Sequence, residues 1–245
     1  MRRLLYILLL LAATALLVLL LRGCVITSCL IPSTGMENTL RKGERILVNK
    51  WSYGLRLPGM AWWGYRRWRE RPVGRGDVVV FNNPANRQER VISRRETFIG
   101  RCIGLPGDTL WVDSLSLLCS FSRYELYLLQ QAMGDGCWLQ PWPSGSALAL
   151  HPLVVPRRGV PVEVHPWNAV LLCNTLLLHE QRKATLRGDT LLLDGKPVSR
   201  CRFSKDYHWV VTDNAANPTD SRRFGLVPKD HLIGRAFRLG RKHPF

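Results

Sequence analysis

The chain has 245 residues, enough for one sizeable core or for one domain with a subdomain. Lys and Arg number 35 against 18 Asp and Glu, a formal net charge of +17, which calls for an anionic partner: nucleic acid or an anionic lipid surface. Seven cysteines and six histidines are scattered without zinc-like spacing, so neither a metal site nor a cofactor is expected.

The first element decides between the two partners. Leu4–Leu21 are 18 uncharged, mostly Leu residues, bounded by Arg2-Arg3 and by Arg22. As a helix they measure about 27 Å, against a hydrocarbon core of roughly 30 Å. A cleaved signal peptide would have a shorter apolar region ending in small residues, and Leu21-Arg22-Gly23-Cys24 does not supply them. Cys24 after Gly23 admits a lipoprotein signal, but Arg22 fits that poorly. The reading is an uncleaved anchor over 4–21. Arg2 and Arg3 put residues 1–3 in the cytoplasm and everything after residue 22 outside it, at the cytoplasmic (inner) membrane. Membrane lipids are thus an expected partner and nucleic acid is not.

Gly23–Leu30 reads as a short exit segment. Glu44–Lys50 alternates as a strand after the Lys42-Gly43 turn. In Trp51–Arg75 the rings of Trp51, Tyr53, Trp62, Trp63, Tyr65 and Trp68 interleave with arginines, a composition suited to lipid headgroups. The alternative is a loop whose rings pack on the core while its arginines face water. Asp77–Phe81, Phe98–Ile103 and Thr109–Val112 read as strands. Residues 114–205 change texture: Ser122-Arg-Tyr-Glu125 resembles a capping box opening a helix to Met133, a Pro- and Trp-rich loop runs through Pro143, and Thr190–Val198 reads as a hairpin on an Asp194-Gly195 turn. Tyr207–Val211 and Leu232–Ala236 are the last strands, the second closing the sheet. The division is a β core over 22–113 and 206–237, an inserted β-rich subdomain over 114–205, and a loose basic tail over 238–245.

Four stretches, in order, carry a resemblance. They are Pro32-Ser33-Thr34-Gly35-Met36-Glu37-Asn38-Thr39-Leu40, Arg75-Gly76-Asp77-Val78-Val79-Val80-Phe81, Gly100-Arg101-Cys102-Ile103-Gly104-Leu105-Pro106-Gly107-Asp108 and Asp213–Arg222. Behind an N-terminal anchor they are similar to the boxes of type I signal peptidases, the membrane-anchored Ser/Lys peptidases that remove signal peptides. The resemblance implies a mostly β fold of the signal-peptidase type, a signal peptide or exported preprotein as ligand, and a peptide laid against the edges of strands beside the first and third boxes.

It also assigns roles, and three of them fall on the wrong residues. The nucleophile position holds Gly35, the general-base position Gly100, and the position that orients the base Pro218. A glycine can neither attack a carbonyl nor accept a proton, and Pro lacks both a hydroxyl and a backbone donor. Ser33 matches the oxyanion-hole Ser, with the Gly35 N–H as second donor, and Asp220/Arg222 match a structural ion pair. Ser33, Thr34, Gly35, Met36, Gly100 and Cys102 would line the cleft, which two glycines should widen. The expected function is a non-catalytic member that binds signal peptides, exported preproteins, an active signal peptidase or a translocon. The alternatives are an active peptidase using Ser33 as a displaced nucleophile and a structural protein of the membrane surface. Arg101 is no base at any ordinary pH, and Lys42 and Lys50 sit on the wrong segments to replace the amine.

Overall fold

A computed structural model describes residues 2–31, 35–37, 39–56, 65–86, 88–113, 119–120, 150–214 and 219–238. Helix α1 runs Arg2–Cys24, as its Leu and Ala content favours, and the side chains described over 3–15 are all exposed. Among the described residues no helix is long and apolar enough to cross a membrane.

The strands in chain order are β1 (Ile26–Leu30), β2 (Arg45–Asn49), β3 (Leu55–Arg56), β4 (Arg67–Trp68), β5 (Val78–Asn82), β6 (Thr97–Gly104), β7 (Thr109–Asp113), β8 (Cys119–Ser120) and β9 (Leu150–Val154). Then come β10 (Pro161–Glu163), helix α2 (Ala169–His179), β11 (Ala184–Arg187), β12 (Thr190–Leu193), β13 (Lys196–Pro197), β14 (Arg200–Arg202) and β15 (Tyr207–Val211). A short helix α3 (Ser221–Phe224), β16 (Val227–Pro228) and β17 (Leu232–Arg238) complete the set.

The main sheet has the order β1-β2-β17-β5-β6-β15-β16, and every pairing between its neighbours is antiparallel. Its middle strands are covered on both faces, which is why Val78-Val79-Val80-Phe81 is an unbroken apolar run. Successive side chains go to opposite cores. Val78, Val80 and Ile99 join Met36, Leu40, Ile46 and Val48 on one face. Val79, Phe81 and Cys102 join Tyr53, Val210, Val227 and Leu232 on the other. Strand β17 does not close the sheet at its edge; it lies between β2 and β5, where its apolar residues find cover.

Strand β7 pairs with β8 and β9 rather than with the main sheet. A third core joins Leu110, Leu153, Leu172, Leu176, Leu191 and Phe203 to Tyr207 and Trp209 of β15. The hairpin over 190–197 forms as expected, with Asp194 (φ 50°) and Gly195 (φ 79°) both left-handed, the backbone of a type I′ turn. Helix α2 was not expected. Its buried Ala169, Leu172, Cys173, Leu176 and His179 follow a helical period, but Val170, Leu177 and Leu178 fill the intervening positions with Leu-type residues and mask it. Most of the short exit segment expected over 23–30 is strand β1, which pairs with β2 along its full length. The helix expected over 122–133, the loop through 143 and the tail beyond 238 lie outside the described residues.

Three buried histidines make the fold sensitive to acid. Burial, then the neighbouring His231, pushes His179 down to about 3, and burial pushes His208 down to about 4. Burial lowers His231 as well, against the pull of Asp230. For Asp230 burial acts in the opposite sense, but His231 and Lys205 outweigh it and hold the carboxyl below its usual range. An unfolded chain binds protons at these imidazoles near pH 6.5 while the folded chain does not, so stability is full above that pH and falls below it. The thermal midpoint should drop steadily from pH 7 to pH 4. His179→Gln should remove up to about 1.4 kcal/mol per pH unit from the slope of stability between pH 4 and 6, read by urea titrations at each pH.

Candidate functional site

The first motif is held at both ends. The Ile31 N–H donates to the Glu44 carbonyl at 3.1 Å, and the Gly43 N–H to the Ile31 carbonyl at 3.0 Å. A tight turn follows, with the Thr39 N–H on the Met36 carbonyl at 2.9 Å, and it drives Met36 and Leu40 wholly into the core. Just before Met36 the buried Gly35 carbonyl accepts the Asn214 N–H at 2.8 Å, tying the first motif to the fourth.

Beneath that tie lies a buried polar hub. Arg101 and Asp213 are 1% and 0% exposed and pair at 3.5 Å. The Arg101 guanidinium also donates to the Gly76 carbonyl at 2.9 Å and to the Thr39 hydroxyl at 3.3 Å, while that hydroxyl donates to the Asp213 carboxylate. One side chain from each of three motifs and a carbonyl from the other therefore meet at one guanidinium. The sequence held a signal for this that motif matching passes over. Arg101 is a lone cation in a strand covered on both faces, and such a charge needs a carboxylate partner.

The fourth motif is braced separately. Asp220 caps α3 by accepting the Arg222 N–H at 3.0 Å, and it pairs with the Arg222 guanidinium at 2.5 Å. The same carboxylate accepts from the Thr212 N–H at 2.7 Å and hydroxyl at 2.8 Å. Ser221 Oγ accepts the Val210 N–H at 2.9 Å. In the third motif, Gly107 takes φ 96°, and Asp108 accepts the Leu105 N–H at 2.6 Å and pairs with Arg75 at 2.9 Å.

Gly100 does not widen a cleft. A Cβ at this position would lie 2.7 Å from Val210 Cγ1 and 2.9 Å from the Val211 carbonyl oxygen, closer than carbon atoms approach without a shift. The missing side chain lets β15 settle against β6, and the volume is already filled. Cys102 is not at a cleft either. It is 0% exposed in the core with Phe81 and Val210, and burial pushes its thiol pKa well up. Ser33, Thr34 and Pro218 lie outside the described residues. No three His, Cys, Asp or Glu side chains converge as a metal site among the described residues.

The aromatic stretch divides in two. Tyr53 is buried, and its hydroxyl donates to Asp77 at 3.0 Å, so it belongs to the core and not to a membrane face. Tyr65 is half-buried and its hydroxyl points to the Lys229 carbonyl at 3.4 Å. Arg56 donates to Asn82 at 3.0 Å and to the Asp230 carbonyl at 2.8 Å, and burial, then Arg67, holds its guanidinium down at about 10. Trp68 is exposed, with the Arg69 guanidinium 5.3 Å from its ring, and it meets Trp51 at 6.1 Å. Trp62 and Trp63 lie outside the described residues.

A groove of about 270 Å³ opens on the face of Val48 and Val80. Thr27 and Cys29 of β1 stand on one wall, and Ser93 and Thr97 on the other. Strand β1 pairs with β2 alone, and residues 97–100 of β6 pair with β5 alone, among the described residues. Two strand edges thus border the groove, and an open strand edge can take an extended backbone.

The signal peptidase, peptidase S26 family model matches residues 3–239. The chain is 27% identical to a signal peptidase I of Pseudomonas aeruginosa, the match covering 93% of this chain and 69% of that one. It is 29% identical to a signal peptidase I of Pseudomonas fluorescens, with the same two coverages. Against a signal peptidase I of Helicobacter pylori the identity is 23%, over 90% of this chain and 77% of the other.

Two substitutions test the packing. Gly100→Ala should destabilise the protein by about 1–3 kcal/mol, since its methyl group meets Val210 and the Val211 carbonyl; adding Val210→Ala should recover part of that loss in urea titrations. Arg101→Met leaves Asp213 buried without its cation and should cost about 3–5 kcal/mol, whereas Arg101→Met with Asp213→Leu should cost less than the single change.

Proposed function

The chain belongs to the signal peptidase family, peptidase S26, and from that premise we propose that it binds signal-peptide-bearing exported proteins without cleaving them. One observation carries this reading. The position from which the base of a Ser/Lys peptidase would project is Gly100, and the space in front of it is occupied by Val210 and the Val211 carbonyl. The nucleophile position is Gly35, buried and bonded through its carbonyl to Asn214. Attack and proton removal act as a unit, so losing both removes the covalent route. The scaffold that would hold a peptide is retained: the hub at Arg101, the Asp220/Arg222 brace and the two open strand edges. A signal-peptide end adds as a strand between β1 and residues 97–100 of β6, over Val48 and Val80, and its main-chain groups pair with both edges.

The protein is anchored by Leu4–Leu21 with residues 1–3 in the cytoplasm and the β domain outside it. The exposed Leu and Ile side chains of α1 over 4–11 support this, because an apolar helix bare on all sides needs lipid or protein around it. The Lys50 N–H bonds the Val25 carbonyl at 2.8 Å, directly after α1, which puts Trp51 and its neighbour Trp68 beside the membrane exit. These two rings, with Arg69, form the headgroup contact. An active signal peptidase or a translocon is a further partner of the same membrane.

Purified full-length protein in detergent should leave a fluorogenic signal-peptide substrate intact over a time in which an active signal peptidase consumes it. A photo-crosslinker at Thr97 should yield adducts with the same peptide. Cleavage that disappears in Ser33→Ala would assign a displaced nucleophile and overturn the non-catalytic reading. Absence of adducts at Thr97, with the protein folded, would overturn the binding reading.

A further inference from the structure

A second groove, of about 660 Å³, lies between α2 and α3 and shares no lining residue with the one between β1 and β6. Its walls mix apolar side chains, Pro166, Trp167, Val170, Leu171, Leu178 and Phe224, with polar ones, among them Asn174, Thr175 and His179. Val170 is 60% exposed, an uncovered aliphatic side chain on a helix that is apolar nearly all round. Arg222 and Arg223 line the groove, and among the described residues no acidic side chain does. Arg222 is engaged by Asp220, while Arg223 is exposed and makes no side-chain hydrogen bond or ion pair among the described residues.

The inner end carries an independent sign of a ligand. His179 lines the groove and is 7% exposed, yet its ring nitrogens have no hydrogen-bond partner among the described residues. Its ring packs near those of Tyr207 and His231, at 6.1 and 5.3 Å between centroids. The wholly shielded polar atoms without a partner among the described residues are Arg67 Nε, His208 Nδ1 and Trp209 Nε1, so the His179 nitrogens reach solvent and are free to bond a ligand in the groove. The groove is the open direction from which a partner can come.

We propose that this groove docks a segment of a partner protein that combines apolar side chains with a carboxylate. The apolar side chains cover Val170, Leu171 and Trp167. The carboxylate meets Arg223 at the rim, and a backbone or side-chain polar group satisfies His179 at the inner end. Charge argues against a second copy as the occupant, because the rim is cationic and the chain carries +17. A lipid tail suits the groove less well than a peptide. Polar groups stand along it at Asn174, His179 and Arg223, where an acyl chain would leave them unmatched.

The test uses the full chain in neutral-lipid nanodiscs, with empty nanodiscs as blank, and a fluorescein-labelled peptide Phe-Leu-Asp-Leu-Glu-Leu read by anisotropy. Its Asn/Gln counterpart should bind at least tenfold more weakly. Arg223→Glu should weaken the acidic peptide at least tenfold without moving the thermal midpoint, and Val170→Asp should abolish binding. Signal-peptide adducts at Thr97 should persist in Arg223→Glu, so the two grooves fail or succeed separately. The proposal is overturned by any of three results: no saturable binding of the acidic peptide; equal binding of acid and amide peptides, which marks apolar adsorption only; or efficient crosslinking of Val170→Cys to residues 121–149 of the same chain, which marks a groove already covered.

Discussion

Burying one guanidinium in the middle of an apolar strand constrains everything around it. Arg101 lies in β6, a strand covered on both faces, so its charge has no water to turn to. Asp213 must therefore come from beyond β15, Thr39 from the turn after Gly35, and the Gly76 carbonyl from the turn before β5. Stretches that are 25 to 174 residues apart in sequence are brought within a few ångströms. A buried pair of this kind adds little net stability over a well-packed apolar pair, but removing one member is expensive. Its effect here is to set register: with Arg101 satisfied, β5, β6 and β15 cannot slide past one another without exposing a charge to the core.

That constraint does not depend on what stands at position 100. The hub touches the motifs on the face of β6 opposite Gly100. With only a hydrogen at 100, the hub is formed and the neighbouring strand fills the space. Val210 and the Val211 carbonyl stand where a Cβ would be. The space is thus taken up by packing between two strands and not kept as a hole, which would cost more. Glycine at 100 is consequently a structural requirement of this chain as it now packs.

The remaining polar groups divide between bracing and recognition. Arg56 and Arg67 look like phosphate ligands by composition, but their guanidiniums are donated to carbonyls of the β3–β4 and β17 regions. They hold the hairpin against the sheet, and that position places Trp68 and Arg69 outward near the end of α1. The high positive charge is therefore not all available for an anionic surface; a share of it is consumed inside the fold.

The sequence by itself determined the local elements whose side chains alternate or cluster without ambiguity. These include β2, β5, β6 and β15, the Asp194-Gly195 turn, and the four motifs with their family. Each depends on residues near one another in the chain. It did not disclose α2, because Leu-type residues on nearly every face erase the helical period. Nor did it place β17 inside the sheet, since a strand's neighbours are chosen by other strands. The burial of Tyr53 and Cys102, the hub at Arg101 and the filled space at Gly100 were decided only in three dimensions. A side chain's surroundings are set by segments far away in sequence, and a glycine's meaning depends on what packs against the hydrogen it carries.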